Sequence, residues 1–74
     1  MKITYDERAD ALYILLREVE PRSSMDIEKG ITVTLDGDGH IVGLDILNAS
    51  ERLSPKELIN MSYENSLLAS APER

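Results

Sequence analysis

Ile31-Thr32-Val33-Thr34-Leu35-Asp36-Gly37-Asp38-Gly39-His40-Ile41-Val42-Gly43-Leu44-Asp45-Ile46-Leu47 decides the fold of this 74-residue chain. Ile31, Val33 and Leu35 alternate with Thr32 and Thr34, the period-2 pattern of a strand with one buried face, and their β-branched content suits a pleated surface. Asp36-Gly37-Asp38-Gly39 then supplies two glycines for the positive φ that a tight hairpin connection requires. The chain returns through residues 40–48, with Val42, Leu44 and Ile46 on one face and Ile41, Gly43, Asp45 and Leu47 on the other. Gly43 leaves room for a bulge or a close backbone approach. Residues 31–47 are expected to form an antiparallel hairpin.

Upstream, Met25 and Ile27 alternate with Asp26 and Glu28 before Lys29-Gly30 punctuates the chain, while Glu20-Pro21-Arg22-Ser23-Ser24 reads as a loop or an edge irregularity, because proline cannot donate to a ladder. Met1, Ile3 and Tyr5 alternate with Lys2, Thr4 and Asp6, again a half-buried strand. The polar run Asp6-Glu7-Arg8-Ala9-Asp10 is a reversal, in which Asp6 is placed to accept from amides two or three residues on. Residues 11–17 carry Leu12, Ile14 and Leu16 on one face and Tyr13 and Leu15 on the other, a strand buried largely on both sides. A helix through residues 7–18 is the rival reading, since Ala, Leu, Glu and Arg are good helix formers. Six consecutive apolar residues cannot share one helix face in so small a chain, which favours the strand.

Downstream the chemistry changes. Ser54-Pro55-Lys56-Glu57 is a capping box, Pro55 stands where its missing N–H costs nothing, and Leu53 and Leu58 occupy the positions of a hydrophobic staple. A helix should begin at Pro55 and either run to about Leu68 or stop early and give way to an extended tail. The expected architecture is α+β, mainly β: an antiparallel meander sheet of about four strands, with a C-terminal helix packed on one face or exchanged with a neighbouring chain. Every connection between strands is too short for a crossover helix, so the order is antiparallel. Residues 1–53 make the β part and residues 54–74 the capped helix and tail of the same single domain.

Composition bounds the function. At 8.3 kDa a folded monomer hides about 60% of its unfolded surface. Apolar burial then contributes on the order of 110 kcal/mol, against about 110 kcal/mol of ordering entropy. A monomer balanced so near zero needs a disulfide, a metal or a partner, and the absence of cysteine removes the first and thiolate zinc with it. A homodimer is the expected remedy. The net charge of −6 repels phosphate backbones, and the nearest basic cluster, Arg17 and Arg22, is interrupted by Glu18 and Glu20, so direct nucleic-acid binding is not expected. The longest apolar run, residues 11–16, is far short of the roughly 20 residues of a spanning helix. No signal-peptide pattern opens the sequence, and the expectation is a cytoplasmic protein away from the membrane.

Tyr5-Asp6-Glu7-Arg8-Ala9-Asp10-Ala11-Leu12-Tyr13-Ile14, followed by Gly30-Ile31, Leu35-Asp36, Val42-Gly43-Leu44-Asp45-Ile46-Leu47 and Ala49-Ser50, resembles a small prokaryotic family, the "domain of unknown function 2283". Its members open with Y-D-x-x-A-D-A-L-Y-I and continue with a G-I-x-x-x-x-D-x-x-G-x-x-V-G-I-E-I-L-x-A-S run. The likeness spans residues 1–53, with Asp45 in place of the usual Glu and Arg8 where an acid is common. The family has no established activity. Similarity in gene context implies, for some members, a role as antitoxin partners of small RNase-like toxins.

The residues that could carry chemistry are few. Asp6, Glu7 and Asp10 place three carboxylates within five residues, but a carboxylate metal site needs about six oxygen ligands, and the aspartates more simply satisfy loose amides at the reversal. Asp36-x-Asp38-Gly39 begins like a calcium loop but continues with His40, Leu44 and Leu47 where ligands are needed. His40 is the one imidazole, with no cysteine and no serine on a nucleophile elbow beside it. Tyr5, Tyr13 and Tyr63 read as core or interface aromatics. No cofactor, metal site or catalytic residue is expected. Two functions remain: a non-enzymatic protein-interaction module, which includes an antitoxin-like partner of a basic ribonuclease toxin, and a small-molecule- or metal-binding enzyme using Asp6, Asp10 and His40. The acidic surface favours the first, because complementary potentials speed association with a basic protein partner.

Overall fold

A computed structural model describes residues 1–65. The chain forms β1 (Lys2–Asp6), β2 (Ala11–Leu15), β3 (Ser23–Glu28), β4 (Ile31–Leu35), β5 (Ile41–Leu47), α1 (Ala49–Arg52) and α2 (Pro55–Ile59). The strands make one antiparallel sheet in the order β1-β2-β5-β4-β3. It is mainly β and antiparallel, as the hydrophobic alternation requires, with one strand more than the expected four. The meander is corrected as well: β3, β4 and β5 are joined by hairpins, but β5 comes back between β4 and β2. Strands β2 to β5 thus follow Greek-key order, with β1 added by its own hairpin.

The connection over residues 16–22 makes that order. The N–H groups of Leu16 and Arg17 donate to the carbonyl of Val42 at 2.8 and 3.3 Å, and the Arg22 N–H donates to the carbonyl of Leu35 at 2.8 Å, so the segment crosses the ends of β5 and β4. Arg17 pins it to the β4–β5 hairpin, its guanidinium lying 2.6 Å from the Asp36 carboxylate. Pro21 falls inside this crossing, where no ladder bond is asked of it.

Register separates the two faces. Ile3 stands opposite Ile14, Ile14 opposite Leu44, and Leu44 opposite Val33, which itself faces Met25, so an apolar row crosses all five strands. The other face carries the row Thr4, Tyr13, Asp45, Thr32 and Asp26. The ladder shifts register between Thr34 and Leu35 opposite Gly43 and Ile41, the bulge that Gly43 suggested. A Cβ at Gly43 would lie 2.5 Å from the Tyr13 hydroxyl, so the missing side chain is what lets the Tyr13 ring lie against β5. In the Asp36–Gly39 turn Gly39 alone takes positive φ (83°); Gly37 does not, contrary to the two positions expected.

Burial is shallow. Among the described residues only Val33, Val42 and Ala49 are buried hydrophobics. Strand β2, expected to be covered on both sides, is half-exposed at all five positions. The capping box forms as the sequence requires: the Glu57 N–H donates to the Ser54 hydroxyl at 3.2 Å and the Ser54 N–H to the Glu57 carboxylate at 2.9 Å. The helix it starts ends at Ile59, where Asn60 turns to extended backbone. Residues 61–65 are not helical, so the short-helix alternative holds as far as Asn65, and the expected helix end near Leu68 lies outside the described residues.

Candidate functional site

Two features stand out, a polar clamp at one end of the sheet and an apolar groove on one face. The clamp is built where β1 and β5 finish and β2 and β4 begin. Asp10 and Asn48 both adopt left-handed backbone with φ of 53°, a conformation that Asp and Asn tolerate better than most side chains. These two turns bring residue 10 against the start of α1. The Ala49 N–H donates to the Asp10 carbonyl at 2.9 Å. One Asp10 carboxylate oxygen, Oδ1, accepts from the Ser50 N–H at 3.0 Å and from the Tyr5 hydroxyl at 2.6 Å, while Oδ2 accepts from the Ser50 hydroxyl at 2.6 Å. Asn48 makes no side-chain cap, so the amides at the start of α1 are satisfied by Asp10 from across the sheet.

These bonds set the charge states. Donation from Ser50, and then from Tyr5, holds the Asp10 carboxyl below the usual aspartate range. The same hydrogen bond to Asp10, reinforced by desolvation and the nearby negative charge, pushes the Tyr5 phenol up from 10.0 to about 12. Tyr5 therefore stays a donor and Asp10 an acceptor at neutral pH. Next to them Arg52 of α1 pairs with Glu28 at 2.7 Å and also donates to the carbonyl of Lys29, tying α1 to the β3–β4 turn.

The expected site residues do not assemble. Asp6 accepts from the amides of Arg8 and Ala9 at 3.0 and 3.3 Å, the turn role expected of it. Asp10 serves the clamp instead of the reversal alone, a role that neither spacing nor composition announced. His40 lies in the β4–β5 hairpin, its N–H donating to Asp36, at the opposite end of β5 from Asp10. The seven residues of β5, six steps of roughly 3.3 Å, put about 20 Å between those ends. Asp36 is held by Arg17 first and then by the amides of His40 and Asp38, which bring its carboxyl down to about 2. Among the described residues no three His, Cys, Asp or Glu side chains are grouped to hold a metal ion, and no helix is long and apolar enough to cross a membrane.

The groove lies between the β1–β2 hairpin and α2. It encloses about 370 Å³, with Ile3, Tyr5, Leu12 and Ile14 as floor, Leu58 and Met61 as one wall, and Glu57 and Asn60 at the rim. A wider hollow of about 550 Å³ adjoins it, sharing Ile3 and Met61 and lined further by Met1 and Tyr63. Around it Met1, Met61 and Tyr63 are between 67% and 80% exposed. Helix α2 thus faces the sheet of its own chain across the groove, buries none of its residues and leaves much apolar surface open.

The family model of a protein of unknown function, DUF2283, matches residues 2–50. The chain belongs to the DUF2283 family. The match opens with β1 and closes on Ser50, so the family segment contains both ends of the Asp10–Ser50 clamp. Helix α2 and Met61, which wall the groove, lie beyond it. No curated protein and no solved structure matches the chain.

Proposed function

We propose that this DUF2283 protein is a non-enzymatic protein-interaction module whose working surface is the apolar groove between the β1–β2 hairpin and α2. The observation that carries the reading is the exposure of Met1, Met61 and Tyr63 around a groove floored by Ile3, Tyr5, Leu12 and Ile14. Contiguous apolar surface on a small acidic chain is costly in water and marks a contact with another macromolecule. The carboxylates point the same way, for Asp6, Asp10 and Asp36 are engaged by the protein's own amides, hydroxyls and Arg17. The net charge of −6 suits a basic protein partner, and an antitoxin-like role toward a small basic ribonuclease combines both features.

The test is co-expression with the basic product of a neighbouring reading frame, followed by co-purification and association kinetics at several salt concentrations. A stable complex is expected whose association slows as salt rises. Met61→Asp, at an exposed position, is expected to release the partner while the circular dichroism stays that of the wild type. If Met61→Asp and Tyr63→Asp leave every association of the chain unchanged, the groove is not an interaction surface and the proposal falls.

A further inference from the structure

Strand β1 is an edge strand: among the described residues it pairs with β2 on one side only. Its other side presents backbone donors and acceptors next to the wider apolar hollow, and an open edge of this kind is a template for pairing with another strand. The opposite edge is guarded, because β3 breaks register between Asp26 and Glu28 and carries charge of one sign there. Strand β1 has no register break, and its charges, Lys2 and Asp6, are of opposite sign.

We infer that β1 pairs antiparallel with β1 of a second copy about a two-fold axis at Thr4, so that the apolar groove of each chain is closed by the other. The inference rests on the interaction-module reading and names one partner for it. The sequence Lys2-Ile3-Thr4-Tyr5-Asp6 is complementary to itself in that register. Ile3 faces Tyr5 of the second copy on the apolar side, Thr4 faces Thr4, and Lys2 faces Asp6 on the polar side, in both halves of the symmetric contact. Aromatic–aliphatic, Thr–Thr and opposite-charge pairs are all favourable cross-strand neighbours. Lys2 takes part in neither of the ion pairs found among the described residues, Arg17–Asp36 and Arg52–Glu28. A two-fold contact of this sort is closed, giving a dimer rather than a fibre.

Area is consistent with this. A standard interface hides roughly 800 Å² on each partner. Five strand residues, together with Met1, Met61 and Tyr63, which are themselves at least 67% exposed, bring that area within reach once the second sheet continues the apolar face.

Sedimentation of the whole chain at micromolar concentration should give twice the 8.3 kDa chain mass. Thr4→Lys, exposed in the single chain, sets two like charges opposite each other and should raise the dimer dissociation constant ~10-fold or more. Because the chain has no cysteine, Thr4→Cys provides the only thiol. Mild oxidation should convert it rapidly to a covalent dimer of unchanged circular dichroism, and Lys2→Cys, which would face Asp6, should cross-link far more slowly. A monomeric wild type overturns the dimer, and a dimer in which Thr4→Cys and Lys2→Cys cross-link alike, or which Thr4→Lys leaves intact, overturns this pairing. A monomer that still binds a basic protein through the groove would refute the dimer and leave the interaction module standing. A β1-paired dimer indifferent to Met61→Asp would support the pairing and count against the groove.

Discussion

The Asp10 carboxylate takes both the N–H and the hydroxyl of Ser50, forty residues further along the chain. That contact fastens the β1–β2 hairpin to the helix that follows β5, and the Tyr5 hydroxyl completes it from within the hairpin. The clamp is electrostatic in origin, so its strength depends on the charge of Asp10.

Acid should open the clamp. The folded-state pKa of Asp10 is depressed, so its contribution is present above the ordinary aspartate value of about 3.9 and disappears as pH falls through the folded value. Asp36, held at about 2, follows the same sign. Urea midpoints measured from about pH 5 down to pH 2 should fall for the wild type. Asp10→Asn should be less stable at pH 5 and show a shallower fall, and Ser50→Ala combined with Asp10→Asn should cost less than the two separate losses together. A wild type whose midpoint is flat over that range would mean that the clamp adds nothing.

Base should act on Tyr5. Its folded pKa is raised to about 12 from 10.0, so its contribution is complete below pH 10 and is lost as pH climbs toward 12. Ultraviolet titration of phenolate, taken as the difference between wild type and Tyr5→Phe, should show one tyrosine ionising near the upper end of that window. Asp10→Asn should bring the midpoint back toward 10, because the charged acceptor is the leading cause of the shift. An unchanged midpoint in that variant would separate Tyr5 from Asp10.

How much of this was legible follows from which interactions are local. The alternation of Ile31, Val33 and Leu35, the Asp36 turn and the Ser54–Glu57 capping box each depend on residues within a few positions, and each is found where the pattern put it. Strand order does not have that property. The return of β5 between β2 and β4 is set by a seven-residue crossing whose anchors, Arg17 to Asp36 and Leu16 to Val42, are about 20 residues or more apart. The Asp10–Ser50 clamp escaped for the same reason, although the family pattern carries both residues in its two motifs. The openness of β2 escaped because six apolar residues in a row describe a strand covered on both faces as well as one awaiting a partner.

Gly43 offers a steric test. A Cβ there would stand 2.5 and 2.9 Å from the Tyr13 hydroxyl and ring carbon and 3.0 Å from the Ile14 carbonyl oxygen. The ring can swing aside, but the backbone oxygen of a paired strand yields little. Gly43→Ala should therefore cost about 1–3 kcal/mol, the usual range for forced overpacking. Adding Tyr13→Leu should recover part of the loss and leave the share owed to Ile14. Full recovery would assign the whole conflict to the ring, and no loss in the single variant would mean that the sheet relaxes at the bulge.

Thr34 argues in the opposite direction. Its hydroxyl is buried at the bulge next to Gly43 without a hydrogen-bond partner among the described residues. An unpaired buried hydroxyl costs about 1–3 kcal/mol in desolvation. Valine keeps the β-branched shape and the strand preference of threonine but carries a methyl group where the hydroxyl stands. Thr34→Val should accordingly raise stability by about 1 kcal/mol, read as a higher urea midpoint at unchanged m-value. Thr32→Val is the matched control, because the Thr32 hydroxyl donates to Asp26 at 2.9 Å and its loss removes a bond. If both variants move stability the same way, strand preference rather than the orphaned hydroxyl is responsible, whereas opposite signs tie the gain to Thr34 itself.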